Sequence, residues 1–132
     1  MTTIEDHEGF KRTFKDKHLT LGLSIPFDQS QQEHINIEEQ VELAQLAENL
    51  GYSSLFVRDN PLYSKYLGHV TENYDPFVFL TYLAAHTSTI SLGTASMVAT
   101  LRHPLHLAKA ATSLDILSHE RLLLGCLLYT SP

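Results

Sequence analysis

The residues able to do chemistry gather at a few points of this 132-residue chain. Arg58 and Asp59 stand side by side directly after the apolar run Ser53–Val57. Neighbours on an extended segment point to opposite sides, so only one of the two can face a site that the segment borders. Ser24 sits near the end of one apolar run and Thr94-Ala95-Ser96 at the end of another. His103 and His106 have the i, i+3 spacing of a metal pair, but no third ligand has supporting spacing, and Pro104 accounts for the segment as a helix start. Asp115 and Arg121 bracket the turn before Leu122 and read as a structural salt bridge. Cys126 is the one cysteine, so the chain has no internal disulfide and is not a stapled secreted scaffold. The remaining histidines (His7, His18, His34, His69, His86 and His119) are scattered and read as solvated.

These residues need elements to hold them. Leu19–Ile25, Ser53–Val57, Ile90–Thr94 and Arg121–Gly125 read as short apolar strands. Between them lie three helical patterns. Ile37–Leu50 carries Val41, Leu43, Ala44, Leu46, Ala47 and Leu50 as an apolar stripe. Asn36 and Glu39 begin it like a capping box, and Gly51 stops it. Asp75-Pro76 opens a second helix running to about His86, and His103-Pro104 opens a third ending near Leu117. The strand centres near Leu21, Leu55, Leu92 and Leu123 are 34, 37 and 31 residues apart, each the length of one βαβ unit. Strands alternating with amphipathic helices predict a parallel sheet covered by helices.

Two architectures fit that order, part of a (β/α)8 barrel or a doubly wound open sheet. An open nucleotide-binding sheet places a glycine-rich turn after its first strand, and Pro26-Phe27-Asp28-Gln29-Ser30 has no glycine. A barrel places its chemistry at the carboxyl ends of several strands, where Ser24, Arg58, Asp59, Thr94, Ala95 and Ser96 all fall. Residues 1–18 read as a polar N-terminal extension, either docked by the rings of Phe10 and Phe14 or frayed. Tyr63, Tyr66 and Tyr74 belong to a long connection, as plain loop packing or as a pocket lining.

Composition narrows the function classes. The chain is 43% hydrophobic and 18% charged, ordinary globular material for one domain. A net charge of −6 argues against a nucleic-acid partner and against a surface that needs anionic lipid. No apolar run is long enough to span a bilayer, and no signal peptide is apparent, so the expected location is cytoplasmic.

Four stretches carry a family resemblance: LTLGLSIPF, EEQVELAQLAENLGYSSLFVRD, ISLGTAS and RHPLHLAKAATSLDILSHERLLLG. They resemble the first four strands and intervening helices of the luciferase-like monooxygenase superfamily of flavin-dependent (β/α)8 barrels. The most distinctive part is LGT followed by RHP and then by the D-x-L-S-x-x-R turn. The resemblance implies that residues 19–125 are the N-terminal half of such a barrel, about four βα units. It implies a bulge at Thr94-Ala95-Ser96, often with a non-proline cis peptide, that presents backbone and small side chains to a flat isoalloxazine ring. Thr94, Ala95, Ser96 and Ser24 are then the candidate cofactor-binding residues, and Arg58 and Asp59 the candidate catalytic ones; the same resemblance gives His103, near the cofactor edge, as a lesser candidate. The implied cofactor is FMN, with F420 as the alternative, and the implied partner is a small organic substrate oxidised with oxygen. A homodimer is the expected assembly. The phosphate grip is expected from later strands. Residues 126–132 depart from the family pattern and read as a non-matching tail on a truncated chain. Such a half-barrel is expected to be inactive alone and marginal or self-associating, because its first and last strands are left as open edges.

Overall fold

The computed structural model describes residues 3–14, 18–25, 35–60 and 74–127. The polar loop after Pro26, Tyr63, Tyr66, His34, His69 and the end of the chain from 128 lie outside the described residues. The elements in chain order are α1 (Glu8–Thr13), β1 (Gly22–Ile25), α2 (Ile37–Asn49), β2 (Ser54–Val57), α3 (Pro76–Ala84), β3 (Ser91–Thr94), β4 (Met97–Val98), α4 (Pro104–Leu117), β5 (Leu122–Leu123) and β6 (Cys126–Leu127). Short 3-10 turns cover Ile4–Asp6 and Ala99–Leu101. The main sheet has the order β1-β2-β3-β5, all parallel, with Leu23 opposite Leu55, Leu55 opposite Leu92 and Leu92 opposite Leu122. Sequential parallel strands joined by helices are the arrangement of one arc of a (β/α)8 barrel, as expected.

The alternation of side chains along these strands divides the sheet into two faces. Ile25, Leu55, Val57, Leu92 and Leu122 join Ala44, Ala47, Phe79, Leu80, Leu83 and Leu114 of the helices in a single buried cluster. The opposite face carries Gly22, Ser24, Phe56 and Gly93, with Ser24 exposed and Phe56 half-buried. The Phe56 ring lies across both neighbouring strands: a Cβ on Gly22 or on Gly93 would run into it. The glycines are thus the complement of one large ring, the small-against-large packing by which a barrel interior is filled.

Helix boundaries follow their capping groups. Asn36 Oδ1 accepts the Glu39 N–H at 3.2 Å, and Asp75 Oδ1 accepts those of Phe77 at 2.9 Å and Val78 at 3.2 Å. Gly51, at φ +86°, ends α2 in the left-handed region. The stripe on α2 is narrower than its sequence pattern suggests. Gln40, Ala44 and Ala47 are buried, whereas Leu46 and Leu50 are 51% and 68% exposed. Small residues seat the helix close to the sheet, and the two leucines lie around its side.

Three expectations need correction. The N-terminal extension docks, but by backbone and not by its phenylalanines. Gly9 N–H donates to the Glu120 carbonyl at 2.8 Å, and Ser91 Oγ donates to the Gly9 carbonyl at 3.3 Å. A Cβ on Gly9 would meet the Arg121 carbonyl at 3.0 Å, so glycine lets α1 approach this closely. Phe14 is 60% exposed, and its ring centroid lies 5.1 Å from that of Phe10. His7, read as solvated, pairs through Nε2 with Asp115 Oδ1 at 3.0 Å. That pairing overturns the Asp115–Arg121 salt bridge. Arg121 is 4% exposed and spends its guanidinium on oxygens: the carbonyls of Ser118, Ala84, Thr87 and Ile90 and the Thr87 hydroxyl, all at 2.6–3.1 Å. Burial lowers its pKa, and the charge of Arg12 adds to that effect while Glu48 opposes it.

Glu48 of α2 performs a similar task across the loop before β3. Its Oε1 accepts the N–H groups of Ser88, Thr89 and Ile90 at 3.0, 2.6 and 2.8 Å. Burial alone would raise its pKa, but these backbone donors and the Thr89 hydroxyl outweigh it and the pKa is lowered. A lowered folded-state value means a stabilising contribution present above the ordinary value of 4.5 and lost as the pH falls through the folded value. Glu48→Gln should therefore cost about 1 kcal/mol in urea denaturation at pH 7, with the difference from the parent shrinking as the pH falls below the ordinary value of 4.5. A difference independent of pH would contradict this account. Arg121→Met should cost about 3 kcal/mol or more in the same measurement, because it strands several buried carbonyls together.

Candidate functional site

The carboxyl end of β3 is where the sheet departs from regularity. The peptide bond between Ala95 and Ser96 is cis, and the strand resumes as β4 in a second small sheet with β6. Gly93 lies opposite Leu123 and Met97 opposite Cys126. Three residues on one side thus face two on the other, a β-bulge at Thr94–Ser96.

Several polar groups around this bulge find partners on the flanking strands. Ala95 N–H donates to the Val57 carbonyl at 2.7 Å, and Met97 N–H to the Gly125 carbonyl at 2.8 Å. Thr94 Oγ1 donates to the Gly125 carbonyl at 2.7 Å and accepts the Gly125 N–H at 3.0 Å. Gly125 must be glycine, since a Cβ there would run into the Thr94 carbonyl. Val98 N–H donates to Asp59 Oδ2 at 2.9 Å.

Each predicted site residue now has a place. Ala95 is exposed and Ser96 half-buried, so two small side chains lie at an open rim. Ser24 is exposed on the inner face of β1, and Arg58 is exposed at the end of β2. Thr94 is 1% exposed with its hydroxyl committed to Gly125, so it shapes the bulge from behind. Asp59, expected beside Arg58 as a catalytic group, is 9% exposed and holds both Val98 N–H and Arg102 Nη2, the latter at 3.1 Å. Tyr74 packs on Phe79, with ring centroids 5.5 Å apart. His103 Nδ1 accepts the Leu105 N–H at 3.3 Å, capping α4. Among the described residues no group of three or more His, Cys, Asp or Glu could hold a metal ion. Cys126 and Leu127, read as the start of a non-matching tail, form β6 and pair with β4, so the fold continues past Gly125.

Sequence reasoning missed Arg102. Its Nη1 donates to Asp75 Oδ2 at 2.8 Å while Nη2 reaches Asp59, and its guanidinium lies 6.0 Å from the Phe77 ring centroid. Burial works against the charge, but the hydrogen bonds that Arg102 donates to Asp75 and Asp59 outweigh it and raise the pKa. One arginine thus joins the end of β2, the N-cap of α3 and the approach to α4. Its partners lie 27 and 43 residues away, beyond the reach of any local pattern. An open groove of about 800 Å3, lined by Arg12, Leu19, Leu21 and Ser53 among others, lies at the amino ends of β1 and β2, away from this rim.

With this geometry in hand, the comparisons with known proteins are direct. Residues 19–126 match the luciferase-like monooxygenase family, and the chain belongs to it. It is 32% identical over 98 residues to the oxygenase component of a flavin-dependent trigonelline monooxygenase of Acinetobacter baylyi, covering 74% of this chain and 26% of that protein. It is 38% identical over 88 residues to an N-acetyl-S-(2-succino)cysteine monooxygenase of Bacillus subtilis, covering 66% of this chain and 20% of that protein. The chain therefore spans only about a quarter or less of these relatives. Among solved structures, the coenzyme F420-dependent tetrahydromethanopterin reductase of Methanopyrus kandleri superposes with a TM-score of 0.62 at 27% identity, covering 81% of this chain and 26% of that one. The monooxygenase RslO1 of Streptomyces bottropensis gives 0.67 at 26% identity, covering 82% and 32%.

The two sides of the bulge should respond differently to substitution. Thr94→Val leaves the Gly125 N–H without the hydroxyl that accepts it and removes one of the two donors to the Gly125 carbonyl, and should cost about 1–3 kcal/mol in urea denaturation. Ala95→Leu at the exposed rim should change stability by less than about 0.5 kcal/mol. Equal losses at the two positions would show that the rim is not open.

Proposed function

We propose that this chain is the ring-seating part of a flavin-dependent monooxygenase that uses reduced FMN, with F420 as the alternative, and oxygen on a small organic substrate. The observation that carries this is the bulge at Ala95–Ser96, set on an open rim at the carboxyl end of the sheet and held from both flanking strands. A planar heterocycle needs backbone approach without bulky side chains, and Ala95 and Ser96 meet that need. Ala95 and Ser96 would lie against the ring, with Ser24 and Arg58 along its polar edge. Thr94 and Asp59 act from behind, through the backbone they hold. When bound, the reduced cofactor supplies the oxidative chemistry. A guanidinium carries hydrogen-bond donors and no acceptor, so the role of Arg58 is to attract and orient negative charge.

The short span against its relatives supports a further part of the reading: the chain alone binds flavin weakly and turns over no substrate. β1 and β5 are the edges of the main sheet, and Leu19 and Leu21 near the start of β1 are 91% and 59% exposed. That observation favours a second reading, a half-barrel that pairs with another subunit, including a second copy in a homodimer. No helix among the described residues is long and apolar enough to cross a membrane. We place the protein in the cytoplasm, with no nucleic-acid partner, on the acidic charge balance and single cysteine.

Titrating the isotopically labelled chain with FMN tests the seat. FMN on the order of 1 mM should shift the amide resonances of Ala95 and Ser96, and Ala95→Leu should abolish the shifts. No response at these residues, or a response confined to the groove at the amino ends of the strands, would overturn the flavin reading. A micromolar dissociation constant would overturn only the expectation of weak binding by the chain alone.

A further inference from the structure

We propose that Asp59 and Arg102 are positioning residues that hold the Ala95–Ser96 rim in register for the ring, through the Val98 backbone N–H. This rests on the reading of that rim as the ring seat. The bulge has one backbone hydrogen bond to the end of β2 on each side. Upstream, Ala95 N–H reaches the Val57 carbonyl at 2.7 Å. Downstream, the next strand residue free to face β2 is Val98, and Asp59 Oδ2 takes its N–H at 2.9 Å. Only Ser96 and Met97 lie between these two anchors, so the rim residues Ala95 and Ser96 are pinned at one end by Ala95 itself and at the other by Val98. A side-chain carboxylate therefore does the work that a ladder carbonyl does elsewhere in the sheet.

A single carboxylate on a flexible Cβ would fix this distance poorly. Its second oxygen is taken by Arg102 at 3.1 Å, and Arg102 is itself held by Asp75 at 2.8 Å. Asp75 is rigid because its other oxygen caps α3 through Phe77 and Val78. The stack Asp75–Arg102–Asp59–Val98 thus ties the rim to the N-terminus of a helix in the core, with Phe77 beneath the guanidinium. Bidentate use of Arg102 in this stack needs its planar fork, which lysine lacks. Asp59 is 9% exposed and its oxygens are occupied, so it acts through Val98 and not on a bound molecule. Such supporting groups set binding and rate by fixing the geometry of the residues that make contact.

The test uses the labelled chain and two readouts. In the absence of flavin, Asp59→Ala should raise hydrogen exchange at the Val98 and Ala95 amides by about tenfold or more, while Leu55 and Leu92 in the sheet keep their protection. Arg102→Met and Arg102→Lys should raise it at the same amides by smaller factors, and Asp59→Asn should restore part of it, since its carbonyl oxygen can still accept from Val98. In the presence of FMN, Asp59→Ala should weaken the binding seen at Ala95 and Ser96 by about tenfold. The double variant Asp59→Ala/Arg102→Met should be no weaker than Asp59→Ala alone, because both act through one stack. Exchange that rises equally at Leu55 and Leu92 would overturn the proposal in favour of a general stabilising role. So would local exchange that rises with FMN affinity unchanged, or losses in the double variant that add. Absence of any FMN effect at Ala95 and Ser96 in the parent chain would instead sink the flavin reading, and the exchange pattern would still report whether the stack holds the rim.

Discussion

A strand that leaves its ladder must rehouse every backbone N–H and C=O it takes with it, because an unpaired buried polar group costs as much as a lost hydrogen bond. The bulge at Thr94–Ser96 depends on that constraint. Val57, Gly125, the Thr94 hydroxyl and the Asp59 carboxylate together accept or supply what the interrupted ladder would have provided. Gly125 is part of this arrangement for steric reasons, since the Thr94 carbonyl occupies the space where a side chain would begin. The open rim is therefore a consequence of satisfied backbone on both flanks, and the rest of the half-barrel serves to bring those flanks together.

The supporting scaffold uses buried charge in place of further apolar area. At the opposite end of the sheet, Arg121 gathers carbonyls from the end of α3, the loop before β3 and the turn after α4. Glu48 gathers N–H groups from the same loop. Acceptors converge on the cation and donors on the anion, so a loop that cannot pair with itself is ordered by two side chains of opposite sign. Helix α1 closes over this end by backbone contact at Gly9, and the His7–Asp115 pair anchors it to α4. The candidate site and these stabilising groups are thus separated along the strands, with the carboxyl-end rim left open and the amino ends of β3 and β5 locked. That division is usual for barrels of this type.

The half-barrel was legible because its signals are local. Asn36, Asp75-Pro76 and His103-Pro104 mark helix starts through hydrogen bonds made within the next three residues. Strand positions followed from apolar runs, and parallel order from the spacing between them. The proposal of a ring seat at Ala95–Ser96 came from resemblance, since two small residues after a strand carry no distinctive pattern alone. What misled was also local reading. Phe10 and Phe14 looked like anchors because they are apolar, yet the anchor is a glycine that no hydrophobicity pattern marks. Asp115 and Arg121 looked like a pair because they are close in sequence, yet each found its partners elsewhere.

Sequence by itself determined the order of strands and helices, the carboxyl-end location of the candidate residues and the family to which they point, because each rests on spacing along the chain. Only the tertiary structure decided which of those residues face the rim and which are consumed behind it. Arg58 and Asp59 are adjacent in sequence and opposite in role, one exposed and the other bound to a backbone N–H and an arginine 43 residues away. The physical reason is that hydrogen-bond partners across a parallel sheet are set by the register of strands separated by whole helices, and that register exists only once the chain has folded.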